Sequence, residues 1–184
     1  DTMDTINPTP LSRVVAAREQ GLLTDKMLIE LLAQADNPIL TLVEDHVPLG
    51  PTCGYETIPR ATKLFTGGIY YYGCKAEDID VPDQQATEAR LGCIYEMDPN
   101  KRPNATSEDM FNTFGNPDRV IVPQGEILTF CKNTPEKLRQ DGYGTLFRFQ
   151  VGDARFVAVV DVDSGELKAS VDRFDNGNRW RAKG

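Results

Sequence analysis

The stretch GTLFRFQVGDARFVAVVDVDSGELKASVDRF, residues 144–174, carries the clearest secondary-structure pattern in the chain. In its first run, 147–151, apolar residues alternate with polar ones, which is typical of a half-buried strand. The second run, 156–160, is apolar at every position, as expected of a strand covered on both faces. The third run, 167–171, alternates again, and short turns that contain glycine separate the runs. The pattern predicts a three-stranded antiparallel meander.

Two amphipathic helices are predicted ahead of the strands, in residues 10–37. Apolar residues recur there at helical spacing, and Pro10, Gly21 and Pro38 stand where helices commonly begin or end. Most of the remaining chain, 39–174, has the pattern of short strands interrupted by short helices and polar loops. This order predicts an α+β fold, in which the N-terminal helical hairpin packs on a mainly antiparallel, twisted β-sheet that ends in the meander.

Three segments before the meander give local expectations of their own. Residues 45–63 are rich in proline and glycine and predict a long irregular connection. Residues 75–85 carry several carboxylates and predict an exposed acidic loop. Residues 127–130, which follow a turn-like Pro-Gln-Gly, predict a strand. With residues 1–9 as a loose lead-in and 175–184 as a tail, the 184 residues are expected to form a single domain.

The charge of the chain bears on which partners it could bind. Asp and Glu outnumber Lys and Arg by 28 to 20, which gives a formal net charge of −8. Binding to nucleic acid requires clustered basic residues that displace counterions, and the sequence contains no such stripe. No apolar run approaches the roughly 20 residues needed to cross a bilayer. The composition therefore favours a protein partner, and in particular a basic one.

Four separated cysteines, Cys53, Cys74, Cys93 and Cys131, bear on the compartment. None belongs to a C-x-x-C pair, and the chain has one histidine, so a zinc site is not indicated. An even number of cysteines predicts two disulfides and a periplasmic or extracellular location. All three connectivities remain open; the favoured pairs are Cys74–Cys93 and Cys53–Cys131. The alternative is four free thiols in a cytosolic protein.

Catalytic patterns are weak. The sequence has neither a phosphate-binding glycine loop nor a G-x-S-x-G nucleophile elbow. His46 is the single histidine, and a dyad with Cys53 is the one nucleophilic pair it could form. Glu56, Glu96 and Glu126 lie beside aromatic or apolar residues, but sequence cannot reveal whether two carboxylates face each other across a cleft. No catalytic residue, cofactor or metal is predicted.

Aromatic and acidic residues that follow one another in the chain predict a recognition surface instead. Consecutive tyrosines on a strand place at least one ring on each face, and an exposed tyrosine offers rigid amphipathic contact area. The candidate binding residues are Tyr70, Tyr71, Tyr72, Glu77, Asp78, Asp80 and Asp83.

These observations together predict a small, acidic, exported binding protein, most concretely an inhibitor or immunity-type protein that blocks a partner enzyme or toxin. Two alternatives remain open. One is a carboxylate-dependent hydrolase acting on cell-wall or glycan substrates. The other is a structural or assembly component of a cell-envelope machine or a phage particle, which predicts self-association.

Overall fold

The computed structural model of the chain describes residues 39–97, 104–114, 120–175 and 179–181. All of these residues belong to one compact unit, Pro38–Gly184. The predicted lead-in, 1–9, and the predicted helical hairpin, 10–37, lie outside the described residues.

Strands predominate in the described part of the chain. The strands are β1 (Leu40–Leu49), β2 (Ile69–Tyr72), β3 (Arg90–Met97), β4 (Asn104–Thr106), β5 (Thr145–Val151), β6 (Ala154–Asp163), β7 (Glu166–Arg173) and β8 (Arg179–Arg181). The helices are α1 (Ala76–Ile79), α2 (Ser107–Asn112) and α3 (Gln124–Asn133), with 3₁₀ turns at Ile58–Arg60 and Pro135–Lys137. The α+β prediction is therefore wrong for these residues. One reason is that β1 continues to Leu49, well into the segment predicted to be irregular.

The main sheet has the strand order β2-β7-β6-β5. Strands β5, β6 and β7 form an antiparallel meander over the three runs described above, and β2 adds in parallel to β7 with Ile69 beside Ala169. Gly152 and Gly165 lie at the two turns with φ of 56° and 84°, which glycine adopts without a Cβ penalty. Strands β1 and β3 form a separate two-stranded antiparallel ribbon, as do β4 and β8.

The two faces of β6 explain why its sequence is apolar at every position. Phe156, Ala158 and Val160 face the largest hydrophobic core, which α3 and the apolar end of β1 also enter. Val157 and Val159 face the other way and pack with residues of α2 in a smaller cluster. Burial on both sides removes the usual alternation of polar and apolar residues.

Helix α3 replaces the strand predicted at 127–130, and that prediction is wrong. Ile127, Leu128 and Phe130 are buried at helical spacing, on the face directed at the main core. Gly125 permits the close approach of the helix to the loop that follows β1, because a Cβ at this position would lie 3.0 Å from the Cβ of Thr52. A side chain at this position would require the loop to move by a few tenths of an ångström.

A buried amide side chain connects α3 to two other segments. Gln124 is 1% exposed, and its Oε1 accepts the backbone N–H of Ile58 at 3.0 Å. Its Nε2 donates to the carbonyl oxygens of Ile79 at 3.0 Å and Val81 at 3.4 Å. Buried polar groups are stable when they are fully hydrogen-bonded, and this one fixes the 3₁₀ turn and α1 against the first turn of α3.

An ion pair attaches β3 to the same helix. Glu126 is 1% exposed, and its carboxylate accepts hydrogen bonds from Nε and NH2 of Arg90, the shortest at 2.6 Å. The Arg90 side chain is 45% exposed, so only the carboxylate partner is fully removed from water. A buried carboxylate depends on such a partner because leaving it unpaired is costly.

The structure contains neither predicted disulfide, since all four cysteines are free. Cys74 follows β2 and its thiol donates to the carbonyl of Val171 in the main sheet, whereas Cys93 is exposed on the separate β1–β3 ribbon. Cys53 is exposed in the loop after β1, whereas Cys131 is buried in α3. The members of each predicted pair therefore lie in different structural environments.

We expect Arg90→Ala to lower the free energy of unfolding by about 3 kcal/mol, because it leaves the buried Glu126 carboxylate unpaired. Arg173→Ala is the matched control. The Arg173 side chain is 43% exposed, close to the value for Arg90, but it pairs with Asp175, whose side chain is 72% exposed, and such a pair contributes less than about 1 kcal/mol. Urea denaturation of the two variants measures both values. Equal losses in the two variants would contradict the assigned role of the Arg90–Glu126 pair.

Candidate functional site

The three consecutive tyrosines lie on β2, an outer strand of the main sheet. Tyr70 and Tyr72 share one face of the strand and are 48% and 54% exposed. Tyr71 points to the opposite face, where it packs against the main core, and burial raises the pKa of its hydroxyl, as do the nearby charges of Cys74 and Asp80. Two of the three predicted tyrosines are thus available for contact, and the third is a core residue.

Two predicted acidic residues lie on α1, directly after this strand. Glu77 and Asp78 are exposed, whereas Ile79 is fully buried and anchors the helix in the main core. The Asp78 carboxylate also accepts the backbone N–H of Lys75 at 2.8 Å, which caps the start of the helix. Residues 76–79 of the predicted acidic loop therefore form a short anchored helix, whereas residues 80–85 are irregular as predicted.

Cys74 lies in the chain between the end of β2 and the start of α1, and its thiol is near a carboxylate of α1. Burial raises its pKa first, and the Asp78 and Asp172 carboxylates raise it further. Asp172 is the register partner of Tyr72 on β7. The Asp78 carboxylate therefore lies near the thiol that follows the tyrosine strand. We call Tyr70, Tyr72, Glu77 and Asp78 the tyrosine–acid surface.

Asp80 and Asp83 do not belong to this surface. The Asp80 carboxylate accepts the Thr57 hydroxyl at 2.6 Å and pairs with Arg60 Nε at 2.7 Å. The Thr57 hydrogen bond, with the smaller effect of Arg60, keeps the pKa of Asp80 below its usual value. Asp80 therefore joins α1 to the neighbouring 3₁₀ turn, which is a structural role.

Asp83 lies beside the first turn of α3, near Glu56 and Glu126. Partial burial raises the pKa of Asp83, and the Glu126 and Glu56 carboxylates raise it further, although a hydrogen bond from the Gln124 backbone N–H opposes them. Burial alone would raise the pKa of Glu56 too, but hydrogen bonds from Cys53 and the Tyr55 N–H lower it overall. The structure thus brings together three carboxylates that are distant in sequence.

This cluster does not present two free carboxylates to a substrate. Glu126 is buried and held by Arg90, and Glu56 is occupied by hydrogen bonds from its own loop. Asp83 is exposed, and Glu56 is partly exposed. Glycoside hydrolysis usually requires a second carboxyl group across the scissile bond, and neither neighbour of Asp83 is free to act as one.

His46 and Cys53 are each paired elsewhere. The exposed His46 lies at an irregularity of β1 with φ of 57°, and its Nδ1 is 3.1 Å from Asp45 Oδ1. The Cys53 thiol and backbone N–H interact with Glu56. The dyad considered from the sequence is therefore not assembled.

One pocket of about 430 Å³ opens between the second half of α3 and the β6–β7 turn. It is lined by Leu64, Thr66, Cys131, Lys132, Pro135, Glu136, Gln140, Val162, Gly165 and Leu167. Burial raises the pKa of the Cys131 thiol to about 12, so this thiol is protonated and unreactive at neutral pH. The pocket has a single carboxylate and no base beside the thiol.

Within the part of the chain that the structure describes, His, Cys, Asp and Glu residues form no group able to hold a metal ion. No helix in that part is both long and apolar enough to cross a bilayer. Sequence reasoning missed Asp172, which alternation assigned to the solvent face of β7 but which is 4% exposed. The local pattern held no signal for this burial, since the same strand also carries Glu166, Lys168 and Arg173.

The burial of the four cysteines predicts an order of reaction with a thiol reagent. At micromolar protein concentration we expect Cys53 and Cys93 to react first, Cys74 more slowly, and Cys131 only after unfolding. Mass spectrometry of timed samples, with peptide mapping, identifies each modified residue. Fewer than four modified cysteines in denatured, unreduced protein would show that a disulfide forms.

Comparison of the chain with protein-family models, with curated proteins and with solved structures finds no match. The function is therefore inferred from the surface, the charges and the contacts described above.

Proposed function

We propose that this chain is a binding protein whose tyrosine–acid surface docks on, and blocks, a basic protein partner such as an enzyme or a toxin. The observation that supports the proposal most strongly is that half-exposed rings and exposed carboxylates follow each other on two consecutive, anchored elements. Tyr70 and Tyr72 stand on a strand of the main sheet, and Glu77 and Asp78 stand on a helix held by the buried Ile79.

Rigidity favours this use of the surface. A docking residue that is already fixed loses little conformational entropy when it binds, so more of its contact energy contributes to affinity. Tyrosine is enriched among residues that dominate binding energy, because it combines a large apolar ring with a polar group. The hydroxyl of Tyr70 already donates to the Gly67 carbonyl at 3.3 Å, which restricts the ring in the free protein.

Charge favours a basic partner. The net charge of −8 and the exposed Glu77 and Asp78 attract a positively charged surface, and such steering accelerates the encounter and is weakened by salt. A cationic side chain can also lie over a tyrosine ring. Inhibitory docking on an enzyme or a toxin of opposite charge fits this chemistry.

The periplasmic or extracellular location stays a prediction, and the free thiols give it no support. The hydrolase alternative also stays a prediction, although no observation favours it, since Glu126 is held by Arg90 and Glu56 accepts hydrogen bonds from its own loop. The surface therefore offers a more specific hypothesis than any catalytic group in the described residues.

The test compares two double variants of equal composition and charge change. Tyr70→Ser/Glu77→Lys alters the tyrosine–acid surface, and Tyr55→Ser/Glu88→Lys alters exposed residues outside it. The immobilised proteins are used to capture partners from native cell fractions, and the affinity of any stoichiometric partner is then measured with purified components. We expect the first variant to weaken binding by about tenfold or more and to reduce its salt dependence.

The control variant should bind as the wild type does. Equal affinity of the partner for all three proteins would place the binding surface elsewhere and contradict the proposal. Capture of no stoichiometric partner from periplasmic, extracellular or cytosolic fractions would also count against it.

A further inference from the structure

The β1–β3 ribbon has two edges of different character. Strand β1 contains two register irregularities and Pro48, which are features that disrupt or block strand pairing. Strand β3, Arg90–Met97, is continuous over its whole length and contains neither proline nor lysine. One edge of the ribbon is therefore protected against pairing, and the other is not.

The backbone groups on the unprotected edge can be assigned from the register. Pro48 lies opposite Leu91, and because proline has no N–H this must be a non-hydrogen-bonded pair. The N–H and C=O groups of Leu91, and by alternation those of Cys93 and Tyr95, therefore point away from β1. Among the described residues no strand lies beyond β3, so these groups have no strand partner there.

The side chains along this edge are unusually apolar for a solvent-facing strand. Leu91 is 60% exposed, and Cys93 beside it is also exposed. Leu42 on the neighbouring strand is 50% exposed. A regular edge with apolar neighbours is the form in which strands commonly accept another chain.

The sequence of β3 is complementary to itself when read antiparallel. With Cys93 on a two-fold axis, Leu91 lies opposite Tyr95 of the second copy. In the same register Arg90 lies opposite Glu96 of the second copy, at each end of the paired segment. Cross-strand pairs of opposite charge and of apolar side chains both stabilise antiparallel sheets.

Arg90 and Glu96 are both exposed enough to contact a second copy. The Arg90 side chain is 45% exposed while it holds Glu126, and the Glu96 side chain is 46% exposed while it contacts Arg139. Pairing of the two β3 strands would bring Arg90 of each copy next to Glu96 of the other. This charge complementarity identifies a second copy as the occupant of the edge.

We propose that two copies of this chain associate through the edge of β3 that faces away from β1, antiparallel and centred on Cys93, so that two ribbons form one four-stranded sheet. A two-fold axis makes the contact isologous and closes the assembly at a dimer. A two-stranded ribbon is marginally stable without further packing, so two additional strands would stabilise it. This dimer uses a surface separate from the tyrosine–acid surface and does not depend on the proposed binding function.

Sedimentation equilibrium of the full chain in reductant, from about 1 to 200 μM, tests the proposal. We expect a concentration-dependent dimer in the wild type and in Cys93→Ser. Cys93→Lys places two ammonium groups at the axis and should weaken dimerisation by about tenfold or more. The control, Val43→Lys, adds the same charge to an exposed position of β1 and should dimerise as the wild type does. Circular dichroism verifies that each variant is folded.

The register is tested with a diamide, which oxidises two thiols to a disulfide and is itself reduced to a hydrazine by the two electrons and two protons. In Cys53→Ser, Cys93 is the one remaining exposed cysteine. Opposed residues in an antiparallel pair have Cα atoms about 5.5 Å apart, which a disulfide can span. We expect a covalent dimer that disappears in Cys53→Ser/Cys93→Ser. A wild type that is monomeric throughout, a dimer unaffected by Cys93→Lys, equal weakening by Val43→Lys, or no Cys93 cross-link would each overturn the proposal.

Discussion

The buried amide of Gln124 is the contact on which the arrangement of the surface depends. Its three hydrogen bonds connect the start of α3 to the 3₁₀ turn at Ile58 and to the end of α1 at Ile79 and Val81. Helix α3 packs on the meander in the main core. The hydrogen bonds of Gln124 therefore fix the acidic helix α1 relative to the main sheet. An apolar residue at 124 could fill the space but would leave a buried N–H and buried carbonyls unsatisfied.

The same arrangement explains why the carboxylates differ in what they can do. Asp80 and Glu126 neutralise arginines and hold elements together, so neither is available to a ligand. Glu77 lies 3.9 Å from the Lys75 ammonium and Asp78 caps the start of its helix, yet both carboxylates remain exposed directly after the tyrosine strand. The fold thus contains two kinds of carboxylate, those paired with arginines and those that face solvent. Recognition of a basic surface requires charges of the second kind.

The meander could be predicted from sequence because its pattern has a local cause. Apolar and polar residues alternate in 147–151 and 167–171 because each of these strands buries one face. The alternation is absent in 156–160 because this strand is buried on both faces. Helix α3 could not be predicted in this way, since Ile127 and Phe130 suit a strand as well as a helix and Gly125 suggests a turn. Its apolar residues are buried against main-core residues that are distant in sequence, which the local pattern does not show. The cysteine count likewise gave no information on which environments the four thiols occupy.

Amide hydrogen exchange of the Ile58 N–H, in the wild type and in Gln124→Met, tests the role of Gln124 most directly. The side chain of Gln124 is the acceptor of this N–H, so its exchange should be slow in the wild type. We predict that Gln124→Met accelerates it by about tenfold or more, together with the amides of α1, while Ala158 in the meander is unaffected. Unchanged protection of Ile58 in Gln124→Met would contradict the account.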